Sequence, residues 1–268
     1  MPKLRVAIAG GAGRMGRTLV EAVLADDALA LVAALEQTGH PALGRDAADG
    51  AGGTSAVRIT DDVDAALARA DVLIDFTRPQ GTLAHLERCA ALGKTMVIGT
   101  TGFTAADHAA IARAAERIAL VIAPNMAVGV NVVFKLAETA ARALGEGYDV
   151  EIVEAHHRHK VDAPSGTALR LGELVADALG RDLASCAVHG RHGDTGERDR
   201  RAIGFHALRG GDIVGEHTVM FAGSGERVEL TVRSASRMTY ALGALRGAKY
   251  LRGRGPGRYD MFDVLGLK

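Results

Sequence analysis

Short apolar runs alternate with stretches of helical period through the first half of the chain. Leu4–Ala9, Leu29–Leu35, Val72–Phe76, Thr95–Ile98 and Ile118–Ala123 read as strands, apolar at nearly every position. Runs of this kind belong to a parallel sheet covered on both faces, since a strand with one wet face alternates apolar with polar. Between them, Arg14–Ala25, Asp62–Arg69, Gln80–Leu92 and Thr104–Arg117 carry helical patterns. Asp61 or Asp62 and Thr104 stand where N-caps belong. Gly39–Thr54 is rich in Gly and Asp without a period and reads as a loop. The alternation predicts an α/β fold, a Rossmann-type doubly wound parallel sheet, over residues 1–127.

The pattern changes after Pro124. Asn131–Leu144 and Thr167–Leu179 read as helices, with Val150–Ala155 as a strand before a polar segment. Ala202–Ser234 reads as successive antiparallel strands, turning at Arg209–Asp212 and at Gly223–Gly225. Residues 128–237 are therefore expected to form an α+β domain for substrate or assembly. A last helix, Met238–Leu251, opens a segment, 238–268, that is expected to pack back on the first domain.

Composition narrows the function classes. In 268 residues, 32 Lys and Arg balance 32 Asp and Glu, which argues against a polyanion as main partner. Aromatics at 4% offer no stacking platform for single-stranded nucleic acid. The two cysteines, Cys89 and Cys186, form no metal-ligand or redox spacing, so a reducing, cytoplasmic setting is expected. No apolar run approaches the ~20 residues that cross a bilayer, and the 34 glycines follow no collagen-like period.

The most informative segment is Gly10-Gly11-Ala12-Gly13-Arg14-Met15-Gly16. It places G-x-G-x-x-G at Gly11, Gly13 and Gly16, directly after a strand and opening a helix. One glycine makes the tight turn, one lets backbone approach a pyrophosphate, and one lets helix pack on strand. The helix N-terminus then offers N–H groups and partial positive charge to the phosphates. Glu36 ends the second strand about 20 residues on, where an acid binds the ribose hydroxyls. Gln37 follows it and is neutral, so NADH is expected to serve at least as well as NADPH, with Arg14 or Arg45 available to a 2′-phosphate.

Ligands of open α/β sheets sit beyond the carboxyl ends of the strands. Phe76-Thr77-Arg78-Pro79, Gly99-Thr100-Thr101-Gly102 and Ala123-Pro124-Asn125-Met126 follow three such ends and are candidates for the nicotinamide half. Each also reads as an ordinary strand–helix connection.

Glu154-Ala155-His156-His157-Arg158-His159-Lys160 is the densest ionisable cluster, and Ser165 or Gly166 stands as cap of the helix beyond it. Imidazoles and an ammonium near a helix start suit an anionic substrate and a proton transfer near neutral pH. A solvated basic loop is the plain alternative. A zinc site on His156, His157 and His159 lacks an obvious completing ligand. His189–Arg201, with Arg198, Arg200 and Arg201, reads as a mobile exposed loop. Arg237, after the last strand, is either a bidentate carboxylate ligand or a helix-flanking arginine.

These segments together resemble the 4-hydroxy-tetrahydrodipicolinate (dihydrodipicolinate) reductase family of the diaminopimelate and lysine pathway. The resemblance runs through VAIAGGAGRMG (Val6–Gly16), IDFTRP (Ile74–Pro79), IGTTGF (Ile98–Phe103) and APNMAVGVNV (Ala123–Val132). EAHHRHKVDAPSGTA (Glu154–Ala168), GDIVGEHTVMF (Gly211–Phe221) and SRMT (Ser236–Thr239) extend it over essentially the whole chain. It implies NADH or NADPH as cofactor, a small cyclic dicarboxylate as substrate, and a homotetramer whose second domain carries substrate contacts and subunit interface. It implies dinucleotide contacts at Gly10, Gly11, Ala12, Gly13, Arg14 and Met15, at Glu36, at Gly99, Thr100 and Thr101, and at Ala123, Pro124, Asn125 and Met126. His156 matches the proton donor and Lys160 a second donor group, while His157, Gly166 and Thr167 match carboxylate ligands. No metal is implied. Gln37 departs from relatives that carry arginine there. Gly129 and Gly204 are candidate hinges for closure around the substrate. A semialdehyde-type dehydrogenase would need a nucleophilic cysteine, and Cys89 sits instead on the apolar pattern of a helix.

Overall fold

In the computed structural model, which describes residues 2–50 and 53–268, the apolar runs of the first half form parallel strands covered on both faces. In order come β1 (Leu4–Ala9), α1 (Arg14–Leu24), β2 (Leu29–Leu35), β3 (Ile59–Thr60), α2 (Val63–Arg69) and β4 (Val72–Asp75). Then follow α3 (Pro79–Leu92), β5 (Thr95–Ile98), α4 (Ala105–Ala115) and β6 (Ala119–Ile122). Part of the expected loop Gly39–Thr54, residues 51 and 52, lies outside the described residues.

Local chemistry sets the helix boundaries. Asp62 caps α2 by accepting the Ala65 N–H at 2.9 Å, and Thr104 with Asp107 forms a capping box on α4. Pro79 opens α3, where its missing N–H costs nothing. Alternate residues of each strand serve opposite faces. Val6 and Ile8 pack with Leu19, Val20 and Val23 of α1, whereas Ala7 and Ala9 join Leu67, Leu86 and Ile111 beyond the other face. Each fully buried Val, Leu or Ile contributes about 1.5–3 kcal/mol.

The second unit comprises Gly129–Ser236. Its elements are α5 (Val128–Leu144, whose first residue belongs to the first unit), β7 (Asp149–His156), α6 (Gly166–Ala178), α7 (Leu183–Cys186) and β8 (Ala187–His189). They continue with β9 (Ile203–Arg209), β10 (Gly215–Ala222) and β11 (Arg227–Ser234). The sheet order is β11-β10-β7-β9-β8. Gly223–Gly225 turns the β10–β11 hairpin as expected. The expected β9–β10 hairpin is not formed: β9 runs parallel to β7, and β10 pairs with the opposite edge of β7. Arg209–Asp212 instead crosses the end of β7, where the Gly210 N–H donates to His156 O at 3.0 Å and Arg158 N–H to Gly211 O at 3.2 Å. Alternation along a strand reveals which residues share a face but not which strand lies beside it.

α6 packs on β7, β9 and β10. β10 buries His217, Val219 and Phe221, and leaves Glu216, Thr218 and Met220 half-exposed.

The expected mobile loop His189–Arg201 is pinned. Arg198 donates to Glu151 Oε1 and Asp149 Oδ1, each at 2.8 Å, and to the carbonyls of Val150, Asp199 and Ala202. Arg191 forks onto both oxygens of Glu151. Burial opposes the charge on Glu151, but Arg191, Arg198 and His206 outweigh it and hold its pKa down to about 2. Gly204 is no hinge: it lies within β9, and a Cβ there would stand 1.7 Å from Glu151 Oε2. Gly129 lies within α5.

The chain then returns to the first unit with α8 (Met238–Leu251), β12 (Gly257–Tyr259) and α9 (Met261–Leu265). α8 packs along α1 and over β4, β5 and β6. The complete parallel sheet has the order β12-β6-β5-β4-β1-β2-β3, so the winding reverses between β1 and β4. Arg237 falls in this first unit. Among the described residues, no helix is long and apolar enough to cross a membrane.

Candidate active site

The reversal point between β1 and β4 opens onto a cavity of about 920 Å³. Its wall includes Gly10, Gly13, Arg14, Met15, Glu36 and Gln37, with Phe76, Thr77 and Arg78 after β4. Gly10 has φ +67°, which L side chains rarely adopt. A Cβ on Gly16 would stand 2.0 Å from Gly10 O, so only glycine lets the loop fold this tightly against α1. Gly13 caps α1 with no side chain over the helix end. Glu36 Oε1 accepts the Ala12 N–H at 3.1 Å, tying the acid to the loop. A backbone cradle at an uncapped helix start, with a carboxylate at the end of β2, fits the pyrophosphate and ribose of a dinucleotide.

Arg14 lines this cavity, whereas Arg45 donates to Asp49 at 3.2 Å and is not part of its wall. Beyond β5, Thr100 is buried and Gly99 lies against the Phe76 ring. Thr101 is exposed. Beyond β6, Ala123 and Met126 are buried, and Asn125 Oδ1 accepts the Ala127 N–H at 2.9 Å. These two loops and Pro124 stand at neighbouring strand ends but do not line the cavity itself. Buried Asp75 organises the wall: Oδ1 accepts the Thr77 N–H at 2.8 Å and the Thr77 hydroxyl at 2.7 Å, and Oδ2 lies 2.8 Å from His85 Nδ1. Burial works against that carboxylate, yet His85 and Thr77 outweigh it and keep its pKa below the usual range.

The ionisable cluster lies wholly in the second unit. His156 ends β7, buried, with Nδ1 2.6 Å from Glu154 Oε2. Burial lowers the pKa of His156, and Glu154 only partly offsets it. Ser165, rather than Gly166, caps α6 by accepting the Ala168 N–H at 3.1 Å. Gly166 and Thr167 form the first turn of α6, Gly166 exposed and Thr167 half-buried. Lys160 Nζ donates to both oxygens of Asp162 at 2.8 Å. Among the described residues, His157 Nδ1 is buried without a hydrogen-bond partner, and its ring lies 6.1 Å from that of His159. Arg237 stands at the start of α8 and lines the first unit's cavity, so the expected carboxylate ligand lies on the dinucleotide-binding unit.

Two residues of this cluster, Arg209 and His217, were not singled out in the sequence as parts of the site, and Glu154 and Ser165, named there in the cluster and as a cap, were given no partner. Glu154 shares a face with His156 two residues later, a signal that was legible. Arg209 sits opposite His156 in the β7–β9 register, and His217 opposite Glu154 in β10–β7. Ser165 Oγ and His217 Nε2 share a hydrogen bond of 2.8 Å. Pairings across 50 residues leave no local trace.

Burial, reinforced by His156 nearby, pushes His217 down to about 4. The unfolded chain therefore binds its proton first as pH falls from ~6.5, and the folded state loses roughly 3 kcal/mol by pH ~4. Thermal midpoints should fall between pH 6.5 and 4.5, and His217→Asn should flatten that slope. An unchanged slope would remove His217 as its source.

The family model described as dihydrodipicolinate reductase, N-terminus, matches residues 4–126, and that for the C-terminus matches 129–265. A 4-hydroxy-tetrahydrodipicolinate reductase of Thiobacillus denitrificans is 63% identical over 265 residues, 99% of each chain. That of Aromatoleum aromaticum is 61% identical over 268 residues, 100% of this chain and 97% of the relative. The solved dipicolinate-bound dihydrodipicolinate reductase from Paenisporosarcina sp. TG-14 superimposes with a TM-score of 0.79 at 26% identity, covering 97% of this chain and 98% of that one. Two family models in succession cover nearly the whole chain, relatives above 60% identity span its full length, and the chain belongs to the dihydrodipicolinate reductase family.

Proposed function

We propose that this chain reduces 4-hydroxy-tetrahydrodipicolinate to tetrahydrodipicolinate, with loss of water, at the expense of NADH or NADPH. The observation that carries this reading is the buried His156 imidazole, held at Nδ1 by Glu154 beside the capped start of α6, in a chain whose first unit has a dinucleotide cradle. When bound, the reduced nicotinamide supplies a hydride to one face of the substrate ring.

The residues of the chain do the rest. Gly10, Gly11, Ala12, Gly13, Arg14 and Met15 receive the pyrophosphate, and Glu36 the ribose hydroxyls. Gly99–Thr101 and Ala123–Met126 serve the nicotinamide half. His156 Nε2 delivers the proton that the electron-rich ring carbon needs, and Lys160 acts as a second donor group. In the second unit His157, Gly166 and Thr167 bind substrate carboxylate, and in the first Arg237 is a bidentate carboxylate ligand. Because Asp162 holds Lys160, a substrate carboxylate competes with Asp162 for that ammonium. The second unit forms the interface of a homotetramer through the half-exposed face of its sheet, where Met220 and Thr218 alternate with buried positions. The chain acts in the cytoplasm.

The deciding experiment generates the substrate in situ and follows oxidation of NADH and NADPH separately. Substrate-dependent oxidation supports the reading; a folded protein that binds NADH yet oxidises neither cofactor overturns it. Sedimentation at micromolar concentration tests the tetramer, and a monomer would exclude it.

Cofactor choice has its own test. Gln37 lines the cavity and offers no charge to a 2′-phosphate. Gln37→Arg adds a charge-assisted contact worth about 1.5 kcal/mol, which raises NADPH affinity about tenfold with NADH affinity little changed. Calorimetric titration reads both, and an unchanged ratio would move the selectivity elsewhere.

A further inference from the structure

We propose that Glu154 and Arg209 are positioning residues for the proton transfer: together they fix the tautomer and charge of His156, leaving its Nε2 to exchange the proton. The inference rests on the reading of His156 as proton donor.

Glu154 and His156 are two residues apart on β7 and therefore share a face. The Glu154 side chain is 0% exposed, and all of its acceptor capacity is engaged. Oε2 lies 2.6 Å from His156 Nδ1 and accepts Arg209 Nη1 at 2.8 Å. Oε1 accepts Arg209 Nη2 at 2.8 Å and the Ser165 N–H at 3.0 Å. Arg209 is itself fixed, donating onward to the carbonyls of Asp162 and Leu208, each at 2.7 Å.

An ionised carboxylate has no hydrogen to give, so the bond at Nδ1 requires the hydrogen to sit on His156. That leaves Nε2 as the position that gains and loses a proton. Glu154 favours the imidazolium by its charge, and Arg209 limits that effect while locking the carboxylate as a planar fork. Arg209, Ser165 and Glu154 would hold the strand end together without His156. The 2.6 Å contact at Nδ1 is superfluous to that structural role.

The charged and titratable groups around His156 come from each element against it. Glu154 belongs to its own strand, Arg209 to β9, His217 to β10 with ring centroids 5.1 Å apart, and Lys160 with Asp162 to the following loop. Removing the carboxylate withdraws support from the imidazolium, so the pH above which the acid is lost moves down. Removing the guanidinium does the reverse. A purely structural role predicts no such opposition of sign.

The test measures kcat and KM against pH for wild type, Glu154→Gln and Arg209→Gln, with NADH binding as the check on folding. Glu154→Gln should lower kcat at least about tenfold, within the 10²–10⁴ that a positioned acid supplies, with KM within about threefold. Its limb for loss of activity at high pH should move to lower pH, that of Arg209→Gln to higher pH, and Glu154→Asp should restore part of kcat. ¹⁵N spectra of histidine-labelled wild type, assigned by the loss of one ring signal in His156→Asn, should show neutral His156 protonated at Nδ1. Limbs that stay in place, or an Nε2–H tautomer, overturn the proposal while leaving the reductase reading intact. An inactive wild type overturns the reductase reading instead, and the tautomer then decides the Glu154–His156 coupling alone. The wild-type spectrum decides equally if neither variant folds.

Discussion

Replacing His156 by alanine should lower kcat about 10²–10⁴-fold while NADH affinity stays within about twofold of wild type. The magnitude is that of a positioned general acid removed from a proton transfer. The selectivity follows from the fold: His156 and its partners lie in the second unit, whereas the glycine-rich cradle, Glu36 and the cavity of about 920 Å³ lie in the first. His156 is half of a bonded pair, so its loss also strands buried Glu154, which keeps Arg209 and the Ser165 N–H. Three of the four bonds on that carboxylate survive, and the variant should fold. Steady-state kinetics with each cofactor, beside fluorescence titration of NADH, read the two quantities separately. A variant with wild-type kcat would transfer the donor role to another group, with Lys160 the first to examine. Equal loss of NADH binding would mean that the substitution had disturbed the whole chain.

The second large effect concerns Gly16. A methyl group there meets backbone on every near side: Gly10 O at 2.0 Å, Gly10 C at 2.7 Å and Gly11 Cα at 2.8 Å. No rotamer relieves a clash with main chain, so either the loop or the start of α1 must shift. Overpacking of this kind costs about 1–3 kcal/mol. Taken from the dinucleotide complex, that cost weakens NADH binding by about 5–150-fold. Taken from the free protein, it lowers the thermal midpoint by about 2–4 °C per kcal/mol. Gly16→Ala should show one or both, and calorimetry with thermal melts divides them. Gly53→Ala is the control, since nothing lies within 4 Å of a Cβ at that position. Wild-type NADH affinity and an unchanged melt in Gly16→Ala would contradict the close approach of loop and helix.

Much of the first unit was legible because its determinants are local or periodic. The runs Leu4–Ala9, Leu29–Leu35 and Thr95–Ile98 form strands with those bounds, since continuous apolar residues suit a sheet buried on both faces. The caps at Asp62 and Thr104 act within three residues. The glycine loop is legible for the same reason at Gly13 and Gly16, which both face the Gly10 carbonyl oxygen within the turn itself, whereas the near neighbour of Gly11 is Ala34 of β2. β12 was missed because three residues, Gly257–Tyr259, carry no alternation and gain their place only by pairing with β6.

The sequence by itself determined the strand–helix alternation, the dinucleotide cradle and the presence of a histidine cluster before a capped helix. Tertiary structure decided what that cluster is bonded to. Nothing near Arg209 in sequence distinguishes it from the other arginines, yet the β7–β9 register sets it opposite His156. Nothing marks Arg198 as an anchor until Glu151 and Asp149 come to face it. The parallel course of β9 was hidden likewise, because a strand's period is the same whichever neighbour it pairs with. Local order depends on contacts between residues a few positions apart, where the sequence supplies both partners at once. A buried carboxylate with four donors depends on which distant strands share an edge, and that is settled only when the whole sheet forms.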